Sequence, residues 1–245
     1  MSTAAATHAP ADQHGWSRLH SNALLVLLTA IVAVGVLVPR QIGPIHGEDQ
    51  ARLYAWLAIS ILLGAFAVVV GHGITGLRHG VLVDERNRIS LARLQMLLWT
   101  VLVLSAYLAA ALANVGAGDL NPLGVSVPEE LWLAMGISTT SLVASPLLLS
   151  GKKLARGEKP HDARWTDLFV GEETGTEHHA DLGKIQLFFF TVVLVLGYAV
   201  AVGQSFGSHA ASVHALPRID AAVVILLTIS HAGYLTKKAI PQKLS

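Results

Sequence analysis

Cysteine is absent from the 245-residue chain, which removes disulfides, thiolate nucleophiles, cysteine-ligated zinc and iron–sulfur clusters from the chemistry open to it. Charge is scarce too: 13% of residues are Asp, Glu, Lys or Arg, against 53% hydrophobic, and mean hydropathy is +0.55. So apolar a composition does not supply the charged surface of a soluble domain, and the chain reads as a membrane protein. A formal net charge of +1 gives no overall electrostatic drive toward nucleic acid. The acidic residues all fall in loops or at the ends of the apolar runs, Asp220 coming closest to hydrocarbon, which disfavours a proton pump built on an intramembrane Asp or Glu. A phosphate loop, a nucleophile elbow and paired intramembrane carboxylates are also missing, so an enzyme is not expected.

What the chain does have is six apolar runs, at about 22–39, 53–71, 94–115, 131–150, 185–203 and 219–236, each near the ~20 residues a helix needs to cross hydrocarbon. The expected fold is all-α, a polytopic membrane protein of six transmembrane helices. The helices are grouped as hairpins 22–71, 94–150 and 185–236, with tails 1–21 and 237–245 and loops 72–93 and 151–184. The first run ends at Val38-Pro39-Arg40 without a small-x-small pattern, so it reads as an uncleaved span rather than a signal peptide. All of the 17 Lys and Arg residues except Arg40, Arg52 and Arg218 fall on one side of this topology. The positive-inside rule then places both termini and both long loops in the cytoplasm.

The second and third hairpins resemble each other. Laying Leu91 on Leu182 also matches Gln95 with Gln186, Thr100 with Thr191, Val101 with Val192 and Tyr107 with Tyr198, and sets the cations Arg93 and Lys184 in register. Ser90 and Asp181 precede the two helices as N-cap residues, and both hairpins finish in paired lysines, Lys152-Lys153 and Lys237-Lys238. Because each copy enters from and returns to the cytoplasm, the repeat is a parallel one of helical hairpins. Arg18-Leu19-His20 with Ala58-Ile59-Ser60 is a candidate third, eroded copy. Spacing of i, i+7 and i+14 puts Arg93, Thr100 and Tyr107 on one helix face, and Lys184, Thr191 and Tyr198 on another. Such a stripe is either a polar track along a pore or a helix–helix seam joined by hydroxyl hydrogen bonds. Ser138, Ser141 and Ser145, and Ser60, Gly64 and Gly71, are small-residue faces suited to close packing.

Gly71-His72-Gly73-Ile74-Thr75-Gly76 matches the dinucleotide fingerprint G-x-G-x-x-G but lies in a membrane run rather than a βαβ unit, so it reads as helix-end packing. His72 and His231 lie nearest the hydrocarbon, with Tyr234 three residues on from the latter to orient it. The pair is a candidate polar site, with axial ligation of a b-type haem as its most specialised form, although no cofactor is expected. Within 151–184, His161, Asp162, Asp167, Glu172, Glu173, Glu177, His178, His179 and Asp181 offer oxygen and imidazole donors for a divalent ion, at a spacing that matches no EF-hand. Trp165, Phe169, Glu172 and Glu173 in the same segment are candidate docking residues for a soluble partner or the membrane.

Three stretches, 83–100, 167–173 and 229–235, together resemble an uncharacterised family of bacterial multi-span membrane proteins over roughly residue 82 onward. The resemblance implies a bacterial inner membrane and brings no activity or site residue. The function expected from the sequence is an oligomeric membrane protein giving a polar path for a small ion, anions favoured, or for a solute. The alternative is a non-conducting anchor or scaffold recruiting a soluble partner through 151–184, and a b-type electron carrier comes third. Expected partners are membrane lipid, further copies of the chain and a cytoplasmic protein. The orientation is directly testable. Cysteines placed at Gly118 and Gly207 are expected to react with an impermeant thiol reagent in intact cells, and one at Thr174 to stay unlabelled; the reverse pattern would invert every loop assignment.

Overall fold

The computed structural model describes residues 15–207 and 212–240; residues 1–14 of the N-terminal tail and 241–245 of the C-terminal tail lie outside the described residues. Six α-helices occur among the described residues: α1 (Arg18–His46), α2 (Glu48–Thr75), α3 (Leu91–Gly116), α4 (Glu129–Leu149), α5 (Leu182–Phe206) and α6 (Ala221–Ala239). No strand forms among them, only isolated bridges such as Val83 with Ile89. Helices α1 to α5 are long and apolar enough to cross a membrane. At 19 residues, α6 is shorter and carries Ser230, His231, Tyr234 and two terminal lysines, which lower its apolarity below theirs.

Local signals account for the boundaries. Ser90 Oγ accepts from the Arg93 amide, and Asp181 from those of Gly183 and Lys184, so both caps named above close their helices. Helix α1 does not stop at Pro39. It runs through Pro39 and Pro44 to His46, as proline-containing helices do in membranes when neighbours re-satisfy the backbone. Helix α2 likewise continues past Gly71 and Gly73 and ends at Gly76, whose φ of 75° supplies the left-handed cap. Gly71 and Gly73 are therefore inside the last turns of the helix while Gly76 ends it, and Gly71 lets the backbone of 80–81 lie directly against it.

Helix α3 is the centre of the bundle and the most buried of the long helices. Ala106, Ala109, Ala110 and Ala111 give it a face that neighbours approach closely, and Trp56, Ile59, Trp99, Val202 and Phe206 fill the space around it. Trp56 stacks on Phe206 at 6.0 Å and donates its indole N–H to Ser105 Oγ at 3.1 Å, while Ser60 donates to the same oxygen at 2.9 Å. At the end opposite the long loops, Asn114 clamps the 212–220 segment to α3. It donates to the Val213 carbonyl at 2.9 Å and accepts from the Val213 amide at 2.8 Å. Apolar side chains left outside, among them Leu25, Val32, Ile61, Val143, Val193 and Ile229, cover the surface that hydrocarbon would bathe.

A Cβ added at Gly71 would sit 2.8 Å from the Val81 amide nitrogen, whereas nothing lies within 4 Å of one added at Gly64. Gly71→Ala is expected to destabilise the detergent-solubilised protein by about 1–3 kcal/mol, the usual cost of overpacking. Gly64→Ala should leave the thermal midpoint within about 2 °C, given that surface substitutions cost little. Equal midpoints for both variants would show that 80–81 does not pack on α2.

Candidate functional site

The longest loop folds into a cap over one end of the bundle. The loop before α3 joins it through a tight turn, 83–89, in which Asn87 takes φ 58°, a left-handed conformation that asparagine tolerates. Asp84 holds that turn by accepting from the Arg86 amide at 2.9 Å and pairing with its guanidinium at 2.7 Å. Arg88 then reaches into the 151–181 loop. Its Nη2 donates to Asp167 Oδ1 at 2.8 Å and its Nη1 to the Gly171 carbonyl at 3.3 Å, while Asp167 Oδ2 accepts from the amides of Ile89 and Arg164. Asp167 thus ties the two loops together through one buried carboxylate. Beneath it Leu82, Ile89, Leu91, Leu168, Leu187 and Tyr234 form a second apolar core, with Phe169 edge-on to Phe188 at 5.0 Å.

Glu172 lies at the middle of the cap. Lys184 Nζ approaches its Oε1 at 3.1 Å and Arg86 Nη2 at 3.5 Å, and Lys238 Nζ meets Oε2 at 2.9 Å. Lys184 also donates to the Asp167 carbonyl at 3.1 Å, and Lys238 to Ser145 Oγ at 2.8 Å above the Tyr234 ring. Burial by itself would push the Glu172 carboxyl up, but the ammonium groups of Lys184 and Lys238 and the Arg86 guanidinium hold it well below the usual carboxylate range. Around this node, Lys152 pairs with Glu173 at 2.7 Å and Lys237 with Asp181 at 2.6 Å.

The stripe residues find partners within the same chain. Thr191 is buried and takes a hydrogen bond from Gln95 Nε2 on α3. Tyr198 donates to the Pro217 carbonyl and Tyr107 to that of Leu123, each at 3.1 Å. Arg93 donates to the Val83 carbonyl at 2.8 Å and pairs with Glu85. Thr100 is half-buried. It lies on the wall of a cleft of about 770 Å³ between α3 and α4, whose rim carries Arg86, Arg93, Lys152, Arg156 and Lys238.

The two histidines go to different helices. His72 meets His20 of α1, ring nitrogens 3.0 Å apart, and His231 meets Ser141 of α4 at 2.5 Å. It is Ser141, not Tyr234, that orients His231. Of the four docking candidates, Trp165 is exposed, whereas Phe169 packs inward and Glu172 and Glu173 are engaged with lysines. Among the described residues no three His, Asp or Glu side chains gather as a metal-binding group, since the loop carboxylates are spent on cations and backbone amides. The node of Glu172 with Arg86 and Lys238 was not visible beforehand, because its members lie in three separate segments. The one available signal was the adjacent Glu172-Glu173 pair in a loop on the lysine-rich and arginine-rich side of the chain. Comparison of the chain with protein-family models, with curated proteins and with solved structures finds no match, so the resemblance noted above stands on the sequence alone.

Removing the Glu172 charge leaves three cations facing one another. Glu172→Gln is expected to cost about 3–5 kcal/mol at pH 7, the range for breaking a buried ion pair from one side. A depressed carboxyl pKa stabilises the fold fully above the ordinary value of 4.5 and loses that contribution as pH falls toward the folded-state value. The thermal midpoint of the wild type should therefore drop below about pH 5, and that of Glu172→Gln should fall less steeply. Parallel acid profiles would show that Glu172 is not the group responsible.

Proposed function

We propose that the protein is a non-conducting scaffold of the bacterial inner membrane whose cytoplasmic cap recruits a soluble protein. In this reading it spans the membrane six times, keeps both termini inside and associates with further copies of itself. Five helices suited to crossing support the membrane setting, and the lysine and arginine bias supports the orientation. Counting α6 as the sixth span is favoured by its two faces: Ile225, Leu226 and Ile229 are exposed, while Ser230, His231 and Tyr234 turn inward.

One observation carries the scaffold reading over a conducting one, namely where the polar stripe spends its hydrogen bonds. A solute path needs its lining groups open to water or the ion. Lys184, Thr191 and Tyr198 are buried and bonded to Glu172, Gln95 and the Pro217 carbonyl. The same bonds support the parallel repeat. In each copy the cation donates to a carbonyl of the loop before its helix, Val83 or Asp167, and the tyrosine to one of the loop after it, Leu123 or Pro217. Heptad spacing serves here to put a loop-closing group at each end of one helix face. Partner contact falls to the outward ridge of His161, Asp162, Arg164 and Trp165, which the buried Asp167 holds in place. An anion path through an oligomer retains one point in its favour, the open cleft wall bearing Arg93 and Thr100.

Purified protein in planar bilayers is expected to pass no current under a salt gradient. Used as bait, it is expected to retain a cytosolic partner that Trp165→Ala releases at unchanged thermal stability. A steady anion-selective current whose reversal potential shifts in Arg93→Glu would establish the conducting reading instead.

A further inference from the structure

The cleft between α3 and α4 is not used by the scaffold reading, and its chemistry changes along its length. At the cap end its walls carry Arg86, Arg93, Lys152, Arg156 and Lys238. Seven residues from Arg93, about 10 Å further along α3, the wall is Met96, Leu97 and Thr100, faced by Leu142 and Pro146 of α4. Both of these helices are among those apolar enough to cross a membrane, so the apolar end lies at hydrocarbon depth and the cationic end at the boundary.

Charge at the rim is unbalanced. Asp84 answers Arg86, Glu85 answers Arg93 and Glu173 answers Lys152, while Glu172 is shared between Lys238 and Lys184. Arg156 has no carboxylate partner among the described residues and stands exposed at the rim. Arg86 Nη1 is buried without a hydrogen-bond partner. The rim therefore offers a surplus of positive charge in the same cleft as an apolar wall. One phosphodiester with an attached acyl chain satisfies both ends together, whereas a free inorganic anion would leave the slot without an apolar occupant.

We propose that this cleft is a binding site for one anionic glycerophospholipid of the cap-side leaflet, its phosphate held by Arg86 and Arg156 and an acyl chain laid between Met96, Thr100 and Leu142. The site does not rest on the scaffold reading, and lipid retention is read without a partner, so the failure of one is distinguishable from the failure of the other. Native mass spectrometry of the full-length protein, titrated with phosphatidylglycerol, phosphatidylcholine or glycerol 3-phosphate, reads the site directly. Phosphatidylglycerol should be retained at one molecule per protomer with at least tenfold preference over phosphatidylcholine. Glycerol 3-phosphate should neither be retained nor displace it. Arg156→Glu reverses a rim charge that no ion pair needs, and Thr100→Phe fills the apolar end; each should lower retention at least tenfold while circular dichroism and melting stay unchanged. If Thr100→Phe fails to fold, Arg156→Glu decides alone. Equal retention of the two lipids, retention that ignores Arg156→Glu, or glycerol 3-phosphate bound as tightly as the lipid would each overturn the proposal.

Discussion

Helices in a bilayer gain little from the hydrophobic effect against one another, because lipid tails are as apolar as leucine, and so their association falls to close packing and to polar groups that must find partners. In this protein the most demanding of those groups is the Glu172 carboxylate. It is reached from the 83–89 turn by Arg86, from the start of α5 by Lys184 and from the end of α6 by Lys238. Each cation has a second partner, Asp84, the Asp167 carbonyl or Ser145, but the carboxylate is not tolerable in its buried position without the cations. Beside this cluster, Lys238 reaches Ser145 of α4 and Arg88 clips Asp167, so α6, α4 and both loops are joined at one end of the bundle.

The interior of the bundle obeys the same rule at lower charge. Gln95 with Thr191, Trp56 and Ser60 with Ser105, Asn114 with Val213 and Ser141 with His231 each join elements distant in the chain. Around them the alanines of α3 bring backbones close enough for those short side chains to meet. These bonds fasten the helices to one another at several depths along the bundle. Of the α3–α4 cleft, Arg156 at the rim and the apolar wall of Met96, Leu97 and Leu142 take no part in this network.

Much of the local structure was legible beforehand. The apolar runs mark α1 to α5 to within a few residues at most ends, Ser90 and Asp181 act as the N-caps they resemble, and the heptad residues of α5 do share one face. Less legible were ends governed by tertiary contact. Pro39 seemed a stop signal and is not one, and α2 runs one turn past Gly71, which packs against 80–81 as a helix-end glycine. The loop was the hardest to read. Phe169, Glu172 and Glu173 look like surface chemistry in a hydrophilic segment, yet they turn inward, leaving Trp165 outside.

Hydropathy, helix period, capping residues and charge bias are properties of neighbours in the chain, so the sequence by itself determined the helical class, the approximate long helices and the basic end of the bundle. Partner choice is a different kind of property. Glu172 meets Lys238 across 66 residues of chain and Asp167 meets Arg88 across 79, and the energy of a buried charge depends on every group within a few ångströms in three dimensions. Only the tertiary structure decided which carboxylates are spent on the fold, which hydroxyls are satisfied inside, and that a cationic rim stands over an apolar slot.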